Sequence, residues 1–269
     1  MNSGELALVA VAALIAVFAL TYLLARRIDN YGVVDIAWSY AFGGTALLYA
    51  LLGPGWIIRR ALIAALVLVW SLRLGTHLLV RVSRHHPEED GRYRQLRKQW
   101  ASGFGMKMAG FFQMQAISVA ALSAPFLLAC RNPSTSLRPL ELAGSALWLV
   151  AISGEALADA QLAAFKRDPA NRGRVCDAGL WRFSRHPNYF CEWLIWVSYF
   201  VFACASPWGW VSLVSPACIL WLLLGVTGIP MTEEQSLRSR GDAYRAYQRT
   251  TSAFVPWFRK RDGKQAFVR

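Results

Sequence analysis

Acidic residues are scarce in this chain of 269 residues: 16 Asp and Glu stand against 29 Lys and Arg, a net charge of +13. Charged residues make up only 17% and hydrophobic residues 55%, with a mean hydropathy of +0.32, which excludes an ordinary soluble domain of this size. The five cysteines, Cys130, Cys176, Cys191, Cys204 and Cys218, are odd in number and form no CxxC, so neither a disulfide framework nor a zinc site is indicated. They read as small apolar fillers. No GxGxxG follows a strand and no Walker motif occurs, so neither a Rossmann domain nor a P-loop supplies a phosphate site. Internal repeats, low-complexity tracts and soluble-domain linkers are also missing. The chain therefore reads as one membrane domain over 1–269, and the lack of a repeat weighs against a repeat-built transporter.

Long apolar runs are what the chain has instead. They span residues 6–25, 33–52, 57–80, 111–130, 140–164, 189–203 and 208–228, each of a length to cross about 30 Å of hydrocarbon. They lack the two-residue alternation of barrel strands, so the expected fold is an all-α integral membrane protein with about seven transmembrane helices and a tail from 230 to 269. With no positive residue before it and Arg26 and Arg27 after it, the first run reads as a retained helix rather than a signal peptide.

The basic charge follows topology. If the N-terminus is outside, the inside segments hold Arg26 and Arg27, then 81–107, then 166–185, and finally the basic tail. The opposite face holds only Arg59, Arg60, Arg131 and Arg138. That is the bias of an N-out, C-in protein, and it makes nucleic-acid binding a poor second explanation.

Asp35, Arg73, His77, Glu155, Asp159 and Glu192 lie in the half of the apolar runs nearest that basic side. Charges in a bilayer are normally retained for a site. Arg73 with His77, Glu155 with Asp159 and Asn188 with Glu192 are each four apart, so each pair shares a helix face and the set suggests a polar chamber. Singly, Asp35 could snorkel or pair with a loop arginine, Arg73 could sit in a buried ion pair, and His77 could be a packing residue. Nearby inside loops carry Arg81, Arg84, Lys166, Arg174, Arg182 and Arg185, enough charge for several phosphates. Asp159 and Glu192 accept hydrogen bonds from hydroxyls, and Asn188 donates and accepts as an amide ligand requires. A nucleotide cofactor fits this inventory. The loop from His85 to Lys98 reads either as a lid over it or as a mobile cytoplasmic loop.

The segment from Gly179 to Trp193, GLWRFSRHPNYFCEW, resembles the signature of the steroid 5α-reductase family and its bacterial relatives. Pro187 opens the sixth helix there. Further likeness lies in Glu155 and Asp159 followed by Lys166 and Arg174, in the stretch from Trp70 to Arg81, and in the tail from Glu233 through Tyr244 and Tyr247 to Pro256. Isoprenylcysteine carboxyl methyltransferases have a similar Arg-His-Pro-x-Tyr-x-x-Glu stretch and tail, so the motif marks a superfamily.

The resemblance implies seven helices, NADPH on the cytosolic side, and hydride transfer to the C4–C5 double bond of a 3-oxo-Δ4-steroid or similar lipophilic enone. It implies that Asp159, Lys166, Arg174, Asn188, Tyr189, Glu192 and Arg81 or Arg84 hold the cofactor. Arg73, Glu155, Arg185, His186, Glu234 and Tyr244 complete the candidate set. The family's acidic residue of helix two falls on Asp35, without the glutamine beside it in the animal enzymes; its helix-three tyrosine falls on Trp70 or is replaced functionally by His77. Charge develops on the carbonyl oxygen as hydride arrives, so a donor there stabilises the transition state. A protonated Asp35 in apolar surroundings, assisted by His77 or the Trp70 indole, is the expected donor, and Asp35→Ala is expected to lose turnover while retaining NADPH binding. The substrate would reach the site sideways from the lipid. Two alternatives remain: an S-adenosylmethionine-dependent membrane methyltransferase, and a transporter, against which the apolar outer half speaks. A compact chain without an evident retrieval signal points to a bacterial inner membrane, and a monomer is compatible with it.

Overall fold

The computed structural model describes residues 1–260; the basic residues of the tail at 261, 264 and 269 lie outside the described residues. The described chain is all-helical, 78% helix, with an isolated bridge between Ser184 and Ser252 and no strand. Its α-helices are α1 (Ser3–Ile28), α2 (Val33–Leu52), α3 (Ile57–His85), α4 (Gly91–Gln99), α5 (Phe104–Leu122), α6 (Ala124–Arg131), α7 (Pro139–Arg167), α8 (Pro187–Ala203), α9 (Val214–Trp221) and α10 (Ile229–Thr250). Five stretches hold a window long and apolar enough to cross a membrane: Ser3–Ile28, Ile57–His85, Phe104–Arg131, Pro139–Arg167 and Gly209–Thr250, the last in its apolar part before the polar residues from 232 onward. Leu8, Leu20, Ile117 and Val150 within these stretches are exposed, as a lipid solvent requires. The expected runs at 33–52 and 189–203 are helices, but glycine and hydroxylated residues dilute α2, and α8 has only 17 residues.

The chain packs as two units. The first comprises Met1–Leu142 and Tyr199–Ser215. Within it α2 lies close along α3, because Gly43 and Gly75 have no side chain at the crossing. A methyl at Gly43 would sit 2.7 Å from Ser71 Oγ, and one at Gly75 2.6 Å from the Tyr40 ring. Polar groups are stitched across this contact: Gly43 N–H donates to Ser71 Oγ at 3.2 Å, Ser71 Oγ donates to the Ser39 carbonyl at 2.7 Å, and Tyr40 and Thr76 share a 2.9 Å bond. Phe42, Trp70, Phe126 and Tyr199 form an edge-to-face aromatic core with centroids 5.1–6.5 Å apart. The span expected at 111–130 begins earlier, at Phe104, and is broken at Ser123, with Pro125 in the first turn of α6.

The far end of this unit differs from the expectation of an apolar outer half. Arg59 and Glu141 are both fully buried and ion-paired, and Arg59 also donates to the carbonyls of Asn132 (2.9 Å), Ser134 and Ser136 (both 2.6 Å). Arg60 donates to the Ala50 carbonyl at 2.5 Å, and Arg138 to that of Ala205 at 3.2 Å. These arginines, counted from sequence as one face's charge, are taken up by backbone carbonyls at helix ends, where unsatisfied acceptors are costly.

The second unit comprises Ala143–Ser198 and the described residues from Pro216 onward. The stretch between α7 and α8 is a strap, fixed by Trp181 Nε1 donating to the Ala158 carbonyl (2.9 Å) and Leu180 N–H to Gln161 Oε1 (2.8 Å). A π-helical turn, Leu222–Val226, follows α9, and α10 is kinked at Gly241, whose φ of +49° suits glycine.

Candidate functional site

In the first unit, the charged residues gather around α4. Asp90 caps that helix, accepting from Arg92 N–H at 3.0 Å, and pairs with Arg81 at 2.8 Å. Arg92 reaches Asp35 Oδ2 at 2.6 Å, and the Tyr93 hydroxyl donates to Asp35 Oδ1 at 2.8 Å. Arg97 pairs with Glu89 and Asp29, both at 2.7 Å, and lies over the Tyr31 and Phe104 rings at 4.9 and 5.2 Å. Glu89 is itself buried and accepts from Tyr31 N–H at 2.8 Å. The region between His85 and Lys98 is thus a helix held by ion pairs.

Electrostatics follow from this packing. Burial and the adjacent Asp35 carboxylate push the Tyr93 phenol well above its usual value, so it remains a proton donor. Burial pushes Asp90 up, but the Arg92 amide and the guanidinium groups of Arg92 and Arg81 more than offset this, leaving it below the usual range.

The expectation for Asp35 needs correction. Both its oxygens are occupied by Arg92 and Tyr93, so its surroundings are polar and ionic rather than apolar. Trp70 is fully buried in the aromatic core, where its ring is a packing element, and His77 is exposed on α3. Arg73 is half-buried and Arg84 exposed. Arg92 and Tyr93 were missed as site residues because their helix is short and polar, and Glu89 because it lies in the turn before that helix. The Asp90-Gly91 pair, a helix-start signal, was the available clue.

In the second unit, α7 and α8 approach where a methyl at Gly154 would lie 2.8 Å from Cys191 Sγ. That contact brings Asn188 Nδ2 to 3.3 Å from Asp159 Oδ1. Glu155 is buried nearby on α7, and Glu192 accepts from Trp196 Nε1 at 3.0 Å. Tyr189 stacks on His186 at 5.4 Å and shares a 3.1 Å bond with Thr232.

Glu233, rather than the adjacent Glu234, is the tail carboxylate that enters this network. It accepts from Arg185 Nε at 2.6 Å and Gln248 Nε2 at 2.9 Å, lies 3.4 Å from His186 Nε2, and receives the Tyr244 hydroxyl at 3.5 Å. Burial pushes Glu233 up, but hydrogen bonds from His186, Arg185 and Gln248 prevail and hold it at about 2. Burial and the Glu233 charge raise Tyr244 to about 12. Glu234 is exposed and pairs with Arg238 one turn away. The helical period decides this: only one of two consecutive glutamates faces the strap. Arg185 also donates to the carbonyls of Gln248 (3.0 Å) and Thr251 (2.6 Å), so Arg185, His186 and Tyr244 fasten the tail.

Lys166 is exposed at the end of α7, and Arg174 lines a cleft of about 620 Å³ with Asp177, Tyr247, Thr250, Arg259 and Lys260. Among the described residues no cluster of His, Cys, Asp or Glu is placed to hold a metal ion.

Helices of this length and polarity, with their charges paired inside each unit, define an all-helical protein suited to a bilayer. The chain belongs to the family described as "Protein of unknown function (DUF1295)", which matches residues 21–251. Over 96 residues, 34% of this chain, it is 40% identical to uncharacterized protein C594.04c of Schizosaccharomyces pombe, and the match spans 27% of that relative's length. No solved structure matches the chain.

Proposed function

We propose that this chain is a seven-span, N-out, C-in membrane enzyme that uses NADPH to reduce the C4–C5 double bond of a 3-oxo-Δ4-steroid or a similar lipophilic enone. In this reading α2 and α8 cross the bilayer with the five more apolar stretches, and the cofactor is taken from the cytoplasmic side of a bacterial inner membrane.

The observation that carries the reading is the Asp159–Asn188 pair, 3.3 Å apart on α7 and α8, which joins the Gly179–Trp193 motif that resembles the reductases to the Glu155–Asp159 stretch. A carboxylate and an amide there can bind ribose hydroxyls and a carboxamide. Arg174 lines a cleft of a size to hold phosphates, and a carboxylate–amide pair and a phosphate-sized cleft are each what part of a dinucleotide requires. Tyr189 and Glu192 are further contacts. NADPH supplies the hydride when bound; this chain's residues bind and orient it and stabilise charge at the enone oxygen.

The test is binding of NADPH and of S-adenosylmethionine to detergent-purified protein, followed by NADPH consumption with a 3-oxo-Δ4-steroid. NADPH binding with steroid-dependent oxidation is the expected result. Binding of S-adenosylmethionine alone would assign the chain to the methyltransferases, and binding of neither would favour a transporter, for which the buried Arg59–Glu141 pair is a second intramembrane charge site.

A further inference from the structure

The last described stretch of chain is fastened to the strap that precedes α8. Ser184 Oγ donates to the Phe254 carbonyl at 2.8 Å, Arg185 N–H to that of Ser252 at 2.9 Å, and Trp257 N–H to that of Phe183 at 2.9 Å. Phe254 is buried against Phe190 and Trp193, with ring centroids 5.5 and 5.9 Å away. Held in this way, the segment still leaves Val255, Trp257 and Phe258 52%, 67% and 77% exposed, and Phe183, 6.3 Å from Phe258, is 37% exposed. Large apolar side chains presented outward by a hydrogen-bonded segment mark a contact surface.

Its depth follows from α7. The strap is pinned to the Ala158 carbonyl, and about 13 Å of helix separates Ala158 from the basic end at Lys166 and Arg167. The strap that carries Phe183 is thus tied within the last three turns of α7, toward the end of an apolar span, where tryptophan and basic residues gather in membrane proteins. Arg182, Arg259 and Lys260 flank the aromatic patch, all exposed. Arg259 is shared with Asp177 at 2.8 Å, so Arg182 and Lys260 carry most of the available charge.

We propose that Phe183, Val255, Trp257 and Phe258 form an interfacial anchor that inserts into the leaflet at the end of α7, with Arg182, Arg259 and Lys260 holding anionic lipid headgroups. Charge complementarity selects this occupant. A second copy of the chain, docked symmetrically on the same patch, would bring these cations together.

The full chain is reconstituted in phosphatidylcholine vesicles with increasing phosphatidylglycerol and acyl chains brominated at defined depths. Trp257 is isolated as the fluorescence difference between the wild type and Trp257→Phe, which keeps an aromatic ring in place. The expected result is stronger quenching by bromines near the headgroup than by deep ones, increasing with phosphatidylglycerol. Arg182→Gln and Lys260→Gln should each weaken the anionic preference about fivefold. Quenching by aqueous iodide but not by bromolipid would overturn the anchor. So would a signal indifferent to phosphatidylglycerol, or concentration-dependent shielding from both quenchers, which would assign the patch to a second copy.

Discussion

Glu233 Oε1 accepts the Arg185 Nε–H at 2.6 Å, and this bond fastens α10 to the residue two positions before α8. Both side chains are largely buried, so removing one leaves the other charged and desolvated. Arg185→Ala is expected to destabilise the protein by about 3 kcal/mol, read as a lower midpoint in thermal or denaturant unfolding. Glu234→Ala, one position on but exposed, should change stability by less than about 0.5 kcal/mol.

Glu233 also predicts a pH dependence. Its folded carboxyl titrates at about 2 against an ordinary value of 4.5, so its stabilisation is complete above 4.5 and is lost as pH falls toward 2. Stability measured across that window should fall less steeply in Glu233→Gln than in the wild type, although Glu233→Gln starts lower. Equal slopes would remove Glu233 as the titrating group.

Arg59 and Glu141 make a second buried pair, both fully inaccessible. Glu141→Ala should be destabilising by about 3–5 kcal/mol, because Arg59 would lose the carboxylate it pairs with while remaining inside. Unfolding of the purified variant in detergent is the check.

Gly75 carries the α2–α3 contact. Gly75→Ala places a methyl 2.6 Å from the Tyr40 ring and should lower stability by about 1–3 kcal/mol, whereas Gly44→Ala meets nothing within 4 Å and should be neutral or stabilising. Comparable losses from both substitutions would mean that helix–helix spacing is not set at Gly75.

Tyr93→Phe removes the hydroxyl that donates to Asp35. Asp35 then keeps Arg92 but loses this donor, so stability should fall by about 1–2 kcal/mol, read as a lower unfolding midpoint. Since burial and Asp35 raise the Tyr93 phenol, its contribution to wild-type stability should be complete below pH 10.0 and decline as pH rises beyond it. A Tyr93→Phe variant of unchanged stability would mean that the hydroxyl adds nothing to the hold on Asp35.

Hydropathy alone determined that the chain is helical and apolar enough for a bilayer, because a run of apolar residues has the same meaning wherever it folds. The run at 33–52 coincides with α2, and that at 140–164 lies inside α7. The four-residue spacing of Asn188 and Glu192 likewise placed both on one helix, α8. Partner choice was not legible. Asp35 meets Arg92 and Tyr93, which lie 57 and 58 residues away, and Glu233 rather than Glu234 meets Arg185 across 48 residues. Arg59, read from sequence as a surface charge, closes on Glu141 across 82 residues. Local pattern fixes which face of a helix a side chain occupies, but the loops and close glycine contacts of the tertiary structure decide which charge it meets there, and a buried carboxylate takes its character from that neighbour.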